Sequence, residues 1–219
     1  MDVFGKALYG YYKGNKSQFC FVGSDGNPYP HPLDKYFRTP SKLTTLERKL
    51  IQKARGDILD VGCATAYYFP ALMKKGNVTG IDVSKDAIKI ATENGLHNCL
   101  VADAFTFAPK KKFDTITLLE NNLGMAGTEK RARILLKKLT SLLKKDGQIL
   151  TIARNVSKQD YFEIVMAPEW NGIRGKPFSW VSFNIKYLKQ MCNDLHLKMT
   201  ILGKAGSKRT DYLVQITKQ

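Results

Sequence analysis

The stretch Asp57-Ile-Leu-Asp-Val-Gly-Cys-Ala-Thr-Ala66 decides the fold of this chain of 219 residues. Its apolar residues predict a short buried strand, after which Gly62 allows the backbone to turn sharply. Small residues follow the glycine and lead into a helical pattern, which we expect over about 66–75. A strand, a turn of small residues and a helix in this order form a surface on which a nucleotide-bearing cofactor can lie against bare backbone.

Two further predicted strands follow this turn, and each ends in an acid. The segment Val78-Thr-Gly-Ile-Asp82-Val83 places an aspartate about 20 residues after the first strand, where it can accept hydrogen bonds from both hydroxyls of a ribose. The segment Leu100-Val-Ala-Asp103-Ala104 repeats the arrangement. The two acids therefore strengthen the prediction of a cofactor that contains a nucleoside.

These residues resemble the class I S-adenosylmethionine-dependent methyltransferases over roughly residues 45–153. That family has an acidic strand end, a G-x-G-x-G turn, an acid that closes the second strand and an acid after the third. The resemblance implies that S-adenosylmethionine is the cofactor and S-adenosylhomocysteine the product. It implies cofactor contacts from Asp60, Gly62, Cys63, Ala64, Asp82, Val83, Asp103 and Ala104.

Ala64 and Ala66 depart from the family pattern, because glycine is usual at both positions. Each methyl group takes space that the cofactor or the helix would otherwise use. We expect glycine at both positions to leave the cofactor affinity within severalfold and to lower stability slightly through added backbone freedom.

The alternation of strands and helices predicts an α/β fold with a Rossmann-like, mostly parallel sheet. The predicted helices cover about 41–54, 66–75, 84–94, 128–144 and 184–195, and the predicted strands about 57–62, 77–82, 98–102, 113–119, 148–153, 197–202 and 211–217. The resemblance implies that the last two strands form a closing antiparallel hairpin, with a turn over 203–209. We expect residues 1–40 to form an N-terminal cap or lid, 41–219 the cofactor-binding domain, and 154–183 an insertion after strand five on the substrate side.

The fourth strand of the alternating pattern ends in Glu120-Asn121-Asn122, where substrate should meet the cofactor because ligands of open α/β sheets bind beyond the carboxyl ends of the strands. The amides of Asn121 and Asn122 can both donate and accept hydrogen bonds, so these residues are predicted to orient a polar substrate group during catalysis. Glu120 is the nearest candidate base, although it could instead bind a cofactor hydroxyl or the loop backbone. Turn formation is the alternative for the asparagines, since asparagine favours left-handed backbone conformations.

The chain is also similar to a bacterial and archaeal branch of the family. The segments that carry this similarity are Gly5-Lys-Ala-Leu8, Asp25-Gly26, Phe37-Arg38-Thr-Pro40 and Asn121-Asn122-Leu-Gly124. The last of them lacks the prolines and the aromatic residue with which enzymes that methylate the amino groups of nucleic-acid bases hold a flipped base. This difference favours a small-molecule or peptide substrate.

Aromatic residues crowd the N-terminal segment, either as a lid over the substrate or as ordinary packing on the sheet. Arg38 is a candidate ligand for the carboxylate of the cofactor or of a substrate, with a surface ion pair as the alternative. His31 lies between two prolines and is either solvated or a base. Trp170 and Trp180 are expected to pack the insertion rather than contact a ligand.

The formal net charge of +16 and the pI of about 9.7 suit nucleic-acid binding, but the lysines are spread along the chain without an arginine-rich arm. A solvated lysine surface is therefore favoured over an RNA-binding one.

The four cysteines form no C-x-x-C pair, so neither a metal site nor a disulfide framework is indicated. No apolar run approaches the roughly 20 residues of a membrane span, and the N-terminus lacks a signal pattern, so we expect no membrane partner and a cytoplasmic location.

The sequence thus predicts a methyltransferase that acts on a small molecule or peptide by in-line transfer from S-adenosylmethionine. Two alternatives stay open at this point. One is an RNA methyltransferase, which only the charge supports. The other is a methyltransferase-like binding protein without catalysis, for which the two alanines in the turn are the motive.

Overall fold

The computed structural model describes residues 1–156, 158–206 and 210–219. Its strands are β1 (Phe19–Gly23), β2 (Pro28–Pro30), β3 (Gly56–Val61), β4 (Gly76–Asp82), β5 (Cys99–Val101), β6 (Phe113–Leu118), β7 (Leu143–Arg154), β8 (Tyr161–Trp170), β9 (Ile173–Arg174), β10 (Phe178–Phe183), β11 (Leu197–Ala205) and β12 (Asp211–Lys218). Its α-helices are α1 (Val3–Tyr12), α2 (Thr45–Lys53), α3 (Phe69–Leu72), α4 (Lys85–Glu93), α5 (Glu129–Ser141) and α6 (Ile185–Asp194). Short 3₁₀ turns lie at Asp34–Phe37, Pro40–Lys42 and Asn122–Ala126.

The main sheet confirms the predicted α/β fold. Its strands run in the order β11-β12-β7-β6-β3-β4-β5. The five strands from β7 to β5 are parallel to one another, and β12 and β11 add the closing antiparallel hairpin. The turn expected over 203–209 is wrong at its start, because residues 203–205 belong to β11 and pair with β12, while residues 207–209 lie outside the described residues. Because β3 sits in the middle with parallel neighbours on both sides, its carboxyl end opens onto the edge where such sheets bind ligands.

Helices cover both faces of this sheet, so its central strands are buried on both sides, as parallel strands usually are. Leu59 and Val61 of β3 pack into a cluster with the leucines of α5, whereas Ile58 packs on the opposite face with residues of α2 and α3. This alternation follows the two-residue period of a strand. Each fully buried leucine or isoleucine contributes roughly 1.5–3 kcal/mol, so the two clusters hold the ligand-binding edge in place.

A second sheet joins two segments that are far apart in the sequence. Its strands run in the order β10-β8-β1-β2, with β9 paired to β8. Phe19 of β1 pairs with Trp170 of β8, and Gly23 pairs with Met166. The N-terminal segment and the insertion after strand five therefore form one structure, in which each supplies hydrogen-bonding partners to the other.

Helix α1 fixes the beginning of the N-terminal segment to the main domain by packing against α4. The hydroxyl of Tyr9 donates to Glu93 at 2.8 Å, and the Lys13 ammonium lies 2.8 Å from the same carboxylate. The hydroxyl of Tyr12 lies 3.2 Å from Asn94. Because α4 begins just after Asp82, this packing brings the N-terminal segment over the predicted cofactor edge.

The boundaries of several predicted elements are wrong, and the helix expected from residue 41 begins at Thr45. The helix expected over about 66–75 is confined to Phe69–Leu72, because the turn continues in a left-handed conformation through Ala66 and β4 already begins at Gly76. The helix expected to reach residue 144 ends at Ser141. Strand β7 begins at Leu143 instead of 148, because Leu143 already pairs with Phe113 before a register shift. Among the described residues, no helix is long and apolar enough to cross a membrane.

Candidate active site

The carboxyl ends of β3, β4 and β6 meet at one edge of the main sheet and bring the predicted site residues together. The turn after β3 is held against β4 by two hydrogen bonds, in which the Gly62 and Cys63 amides donate to the Ile81 carbonyl at 2.8 and 3.1 Å. Asp82 ends β4, and Glu120 lies two residues after the end of β6. The topology thus confirms that these segments share an edge, as expected from strand order.

The turn keeps a glycine-like backbone although two of its residues are alanines. Gly62, Ala64 and Ala66 have φ angles of 73°, 49° and 59°, all in the left-handed region. Alanine is strained there because its Cβ crowds the backbone. These angles reverse the effect that we expect from glycine: because glycine adopts this conformation freely, it should raise stability at these positions instead of lowering it.

Asp82 is held by backbone amides on both sides of its carboxylate. The Ala64 amide donates to one oxygen and the Ser84 amide to the other, each at 2.9 Å. Burial raises the pKa of Asp82, and the hydrogen bonds from Ser84 and Ala64 oppose that shift. Each carboxylate oxygen has a second lone pair, so Asp82 can still accept hydrogen bonds from a ligand.

Asp60 carries a carboxyl oxygen with no protein partner. Its side chain is 1% exposed, and one oxygen accepts from the Thr117 hydroxyl at 2.7 Å. Within the described residues, the other oxygen has no hydrogen-bond partner. Burial, with a smaller contribution from the charge of Asp82, raises the pKa of Asp60 to about 7, against the hydrogen bond from Thr117. A buried acceptor beneath the turn is complementary to a hydrogen-bond donor.

The remaining residues predicted for the cofactor differ in their exposure. Cys63 and Ala64 are buried in the turn. Val83 is 69% exposed directly after Asp82, so its apolar side chain faces solvent. Asp103 is exposed and accepts from the Phe105 amide at 2.8 Å, while Ala104 is buried. An exposed valine and an exposed acid at adjacent strand ends are compatible with the apolar face and the polar rim of a nucleobase.

The two asparagines after β6 bond to the protein itself. The Asn122 amide donates to the carbonyls of Val61 and Gly62, both at 3.1 Å. The Asn121 amide donates to the Ser182 hydroxyl at 3.3 Å, and its oxygen accepts from the Arg154 amide at 3.2 Å. These bonds tie the loop to the turn and to the second sheet. They favour the alternative of turn formation, and contact with substrate stays a prediction for both residues.

Backbone conformation at this loop points the same way. Glu120 and Asn121 have φ angles of 55° and 64°. Left-handed conformations of consecutive residues are uncommon outside glycine and are maintained only by surrounding contacts. The hydrogen bonds of Asn121 and Asn122 therefore maintain the conformation of this loop.

Arg38 lies between two carboxylates instead of on the open surface. Its guanidinium donates to Glu47 at 2.7 Å and to Glu120 at 2.8 Å. It also donates to the Tyr67 hydroxyl at 3.3 Å, and the Tyr68 hydroxyl donates to Glu47. Burial opposes ionisation of Glu47, but hydrogen bonds from Tyr68 and Thr44 and the charge of Arg38 leave its pKa lowered. Arg38 thereby joins the N-terminal segment to α2, to the turn and to the end of β6.

Glu47 is a member of this cluster that sequence reasoning missed. The pattern Thr44-x-x-Glu47 predicts a capping box, and the structure has one at the start of α2. Yet Glu47 is 2% exposed, far more buried than a capping role requires. Its additional partner, Arg38, lies on a different segment, and single-sequence patterns do not report such pairs.

The N-terminal segment covers the turn through the residues around Tyr36. The Thr65 hydroxyl of the turn donates to the Tyr36 carbonyl. The Tyr36 hydroxyl lies 2.9 Å from Nε2 of His31. Burial, together with the charges of Lys35 and Arg154, lowers the pKa of His31 to about 4, so this imidazole is neutral at neutral pH. His31 is thus half-buried against Tyr36 and not a solvated loop histidine.

Comparison with known proteins gives one match to a family profile and several to solved structures. The profile, described as a methyltransferase domain, matches residues 58–147. The chain is similar to an S-adenosylmethionine-dependent methyltransferase from Bacteroides fragilis, crystallised with S-adenosylhomocysteine. The identity is 26%, the TM-score is 0.89, and the match covers 99% of this chain and 94% of that one.

Two more distant structures share the fold. An S-adenosylmethionine-dependent methyltransferase from Clostridium acetobutylicum is 15% identical with a TM-score of 0.61, over 85% of this chain and 96% of that one. The sugar N-methyltransferase KedS8 from a Streptoalloteichus species is 18% identical with a TM-score of 0.59, over 89% of this chain and 96% of that one. Of these three structures, the Bacteroides protein matches the largest share of this chain.

Proposed function

We propose that this chain, a member of the class I S-adenosylmethionine-dependent methyltransferases, methylates a small molecule or peptide held between the carboxyl edge of its main sheet and its second sheet. The observation that carries the proposal is the convergence of the turn after β3, Asp82 and the loop after β6 at one edge, beneath the N-terminal segment. Substrate and cofactor must meet at such an edge because the strands end there.

The residues at this edge fit the parts of the cofactor. Asp82 has lone pairs left for the two ribose hydroxyls, and Asp103 is exposed for the adenine amine. The amino-acid end of S-adenosylmethionine carries one positive and one negative group. Arg38 and Glu120, 2.8 Å apart, offer a cation and an anion for them. Asp60 offers a further acceptor beneath the turn.

When bound, the cofactor supplies an electrophilic methyl group on a sulfonium. The protein then needs chiefly to align the acceptor with it and to exclude water. Asn122 holds the turn and the loop at a fixed spacing through the Val61 and Gly62 carbonyls. The second sheet and the residues around Tyr36 cover the edge. One oxygen of Glu120 accepts from Arg38, and the other faces Lys35. We therefore assign Glu120 to holding these two cations in place, in preference to abstracting a proton.

The distribution of lysines supports a small substrate over RNA. Lys144 and Lys111 bond to Asp57 at 2.9 and 3.1 Å, and Lys144 also bonds to Asp114 at 2.7 Å. Asp57 and Asp114 lie at the amino ends of β3 and β6, opposite the proposed site. Part of the positive charge is therefore neutralised by carboxylates at the edge remote from the chemistry. A shallow dependence of substrate affinity on salt would agree, since the many phosphate contacts of an RNA would release many counterions.

Cofactor binding tests the assignment of Asp82. Calorimetric titration with S-adenosylhomocysteine should give clear binding to the wild-type protein and on the order of ten- to a hundredfold weaker binding to Asp82→Ala, because charge-assisted hydrogen bonds to the ribose are lost. Asp146→Ala, an exposed aspartate near the opposite edge, is the matched control and should bind as the wild type does. Equal affinity of the two variants would remove Asp82 from the site.

A further inference from the structure

The second sheet presents an apolar, largely aromatic wall to the loop after β6. The wall consists of Phe21, Phe178 and Trp180, all half-buried. The ring centroids of Phe21 and Phe178 are 5.6 Å apart, and those of Phe178 and Trp180 are 6.5 Å apart. Trp180 packs against Gly124 so closely that a Cβ there would lie 2.1 Å from its indole nitrogen. Half-buried rings beside the reacting edge are suited to cover the apolar body of a small ligand.

One end of this wall leads to a lysine. The imidazole of His31 contacts Phe21, with centroids 4.9 Å apart, and bonds to Tyr36. The ammonium of Lys35 lies 5.0 Å from the centre of the Tyr36 ring and 3.7 Å from Glu120. The wall, the neutral imidazole and the ammonium are thus continuous, and they end at Glu120, beside the loop where the methyl acceptor is expected.

Lys35 is short of negative charge for a half-buried cation. Its side chain is 26% exposed, and its one ion pair among the described residues is the long contact with Glu120. Glu120 is shared with Arg38, which holds it at the shorter distance of 2.8 Å. Burial lowers the pKa of Lys35, and the nearby charges of Arg154 and Arg38 act in the same direction, whereas Glu120 opposes them.

A half-buried ammonium that shares its carboxylate gains most from a further anion. Ions removed from water without full pairing are destabilised, and a ligand anion would supply the missing interaction. A neutral ligand at the same position would cover Lys35 and increase its desolvation. The neighbouring His31 is uncharged at neutral pH. It can therefore donate a hydrogen bond to the ligand or accept one from it, whether the ligand is anionic or neutral.

We propose that the substrate is a small amphipathic anion, whose apolar body packs on Phe21, Phe178 and Trp180 and whose carboxylate or phosphate contacts Lys35. This inference rests on the proposed function, because it places the ligand at the same edge as the cofactor. It assigns Lys35 to substrate binding, a role distinct from those of Arg38 and Asp82 toward the cofactor.

Three probes of matched shape test the proposal: benzoate, phenyl phosphate and the neutral isostere benzamide. Each is titrated calorimetrically into the protein saturated with S-adenosylhomocysteine, for the wild type, Lys35→Gln and Lys35→Arg. Lys189→Gln, an exposed lysine on α6, is the control. Comparing benzoate with phenyl phosphate tells whether the site prefers a carboxylate or a phosphate.

We expect at least one anionic probe to bind the wild-type complex more tightly than benzamide. Lys35→Gln should weaken that anion roughly tenfold or more, as expected for the loss of a charge-assisted contact, and leave benzamide and S-adenosylhomocysteine unchanged. Lys35→Arg should restore much of the affinity, and Lys189→Gln should have no effect. Equal binding of anions and benzamide, no binding of either anion at the highest soluble concentration, or full anion affinity in Lys35→Gln would each overturn the inference. Failure of S-adenosylhomocysteine to bind at all would instead count against the proposed function.

Discussion

Strand β3 carries an aspartate near each end, and the two differ in almost every physical respect. At the amino end, hydrogen bonds from Lys144 and Lys111 lower the pKa of Asp57 to about 2. At the carboxyl end, burial raises the pKa of Asp60 to about 7. The amino end resembles an ordinary protein surface, where acids and lysines neutralise one another. The carboxyl end has a buried acceptor without a partner among the described residues and half-buried cations, a combination that is typical of a ligand-binding site.

The largest effect we predict concerns the pH dependence of stability at these two positions. An acid whose folded pKa lies above its unfolded value destabilises the folded state as pH rises between the two values. As pH rises from about 4 to about 7, the free energy of unfolding of the wild type should therefore fall by up to roughly 4 kcal/mol relative to that of Asp60→Asn. Asp57→Asn should show the opposite sign, with the wild type gaining less than about 1 kcal/mol as pH rises from about 2 to about 4. Urea unfolding at several pH values measures both effects. If the free energy of unfolding depended on pH in the same way for the wild type and Asp60→Asn, the proposed difference between Asp60 and Asp57 would be wrong.

The ion pairs of the two edges should also differ in strength. Glu47→Gln removes a buried carboxylate from Arg38 and should lower the free energy of unfolding by about 2–3 kcal/mol, because Arg38 keeps Glu120 as a second partner. Asp114→Asn at the amino edge breaks a solvent-exposed pair and should change it by about 1 kcal/mol or less. Chemical denaturation compares the two. Similar losses would mean that burial does not set the difference between the edges.

A third test isolates the crowding at the turn after β3. Gly62 and Gly95 have φ angles of 73° and 79°, so alanine is strained at both. At Gly62 the added Cβ would also lie 2.6 Å from the Asn122 amide nitrogen and 2.7 Å from the Met125 methyl group, whereas Gly95 faces open space. We expect Gly62→Ala to cost roughly 2 kcal/mol and Gly95→Ala roughly 1 kcal/mol. Only the first should weaken S-adenosylhomocysteine binding, as measured by calorimetry. Equal effects would show that Asn122 does not constrain the turn.

The smallest effect that we predict is a gain in stability at the turn after β3. Ala64→Gly relieves a left-handed alanine and should raise the free energy of unfolding by up to about 1 kcal/mol, with S-adenosylhomocysteine affinity kept within severalfold. Ala91→Gly, in the right-handed backbone of α4, is the matched control and should lower it by roughly 0.5–1 kcal/mol. A loss of stability in Ala64→Gly would show that the turn gains from its alanine in a way that the backbone angles do not explain. A large gain in affinity would show instead that the methyl group obstructs the cofactor.

The sequence predicted the main sheet well because its signals are local. The apolar strand before Gly62 and the acids at 82 and 103 each report on their own segment, and together they imply the strand order through the family resemblance. The capping residue of α2, Thr44, is likewise a local signal, because its hydroxyl accepts from the backbone amide of Glu47 three residues later.

The features that sequence reasoning missed depend on contacts between distant segments. The pairing of β1 with β8, the burial of Glu47 against Arg38, and the left-handed angles of the two alanines all arise from tertiary structure. The asparagines after β6 were interpreted by chemistry alone, which does not tell whether their amides face a ligand or the protein. Their bonds to Val61, Gly62 and Ser182 supply that information.

The pairing of β1 with β8 has a consequence for how the chain is made. Phe19 leaves the ribosome long before its partner Trp170 has been synthesised, so β1 and β2 have no sheet to join during most of translation. The parallel core can assemble first from neighbouring units and give α1 its partner α4, while β1 and β2 stay without their partner strand. Contacts between such distant residues form slowly, and an unpaired strand is prone to aggregation. Slow or stalled synthesis before residue 170 should therefore yield a chain that depends on chaperones.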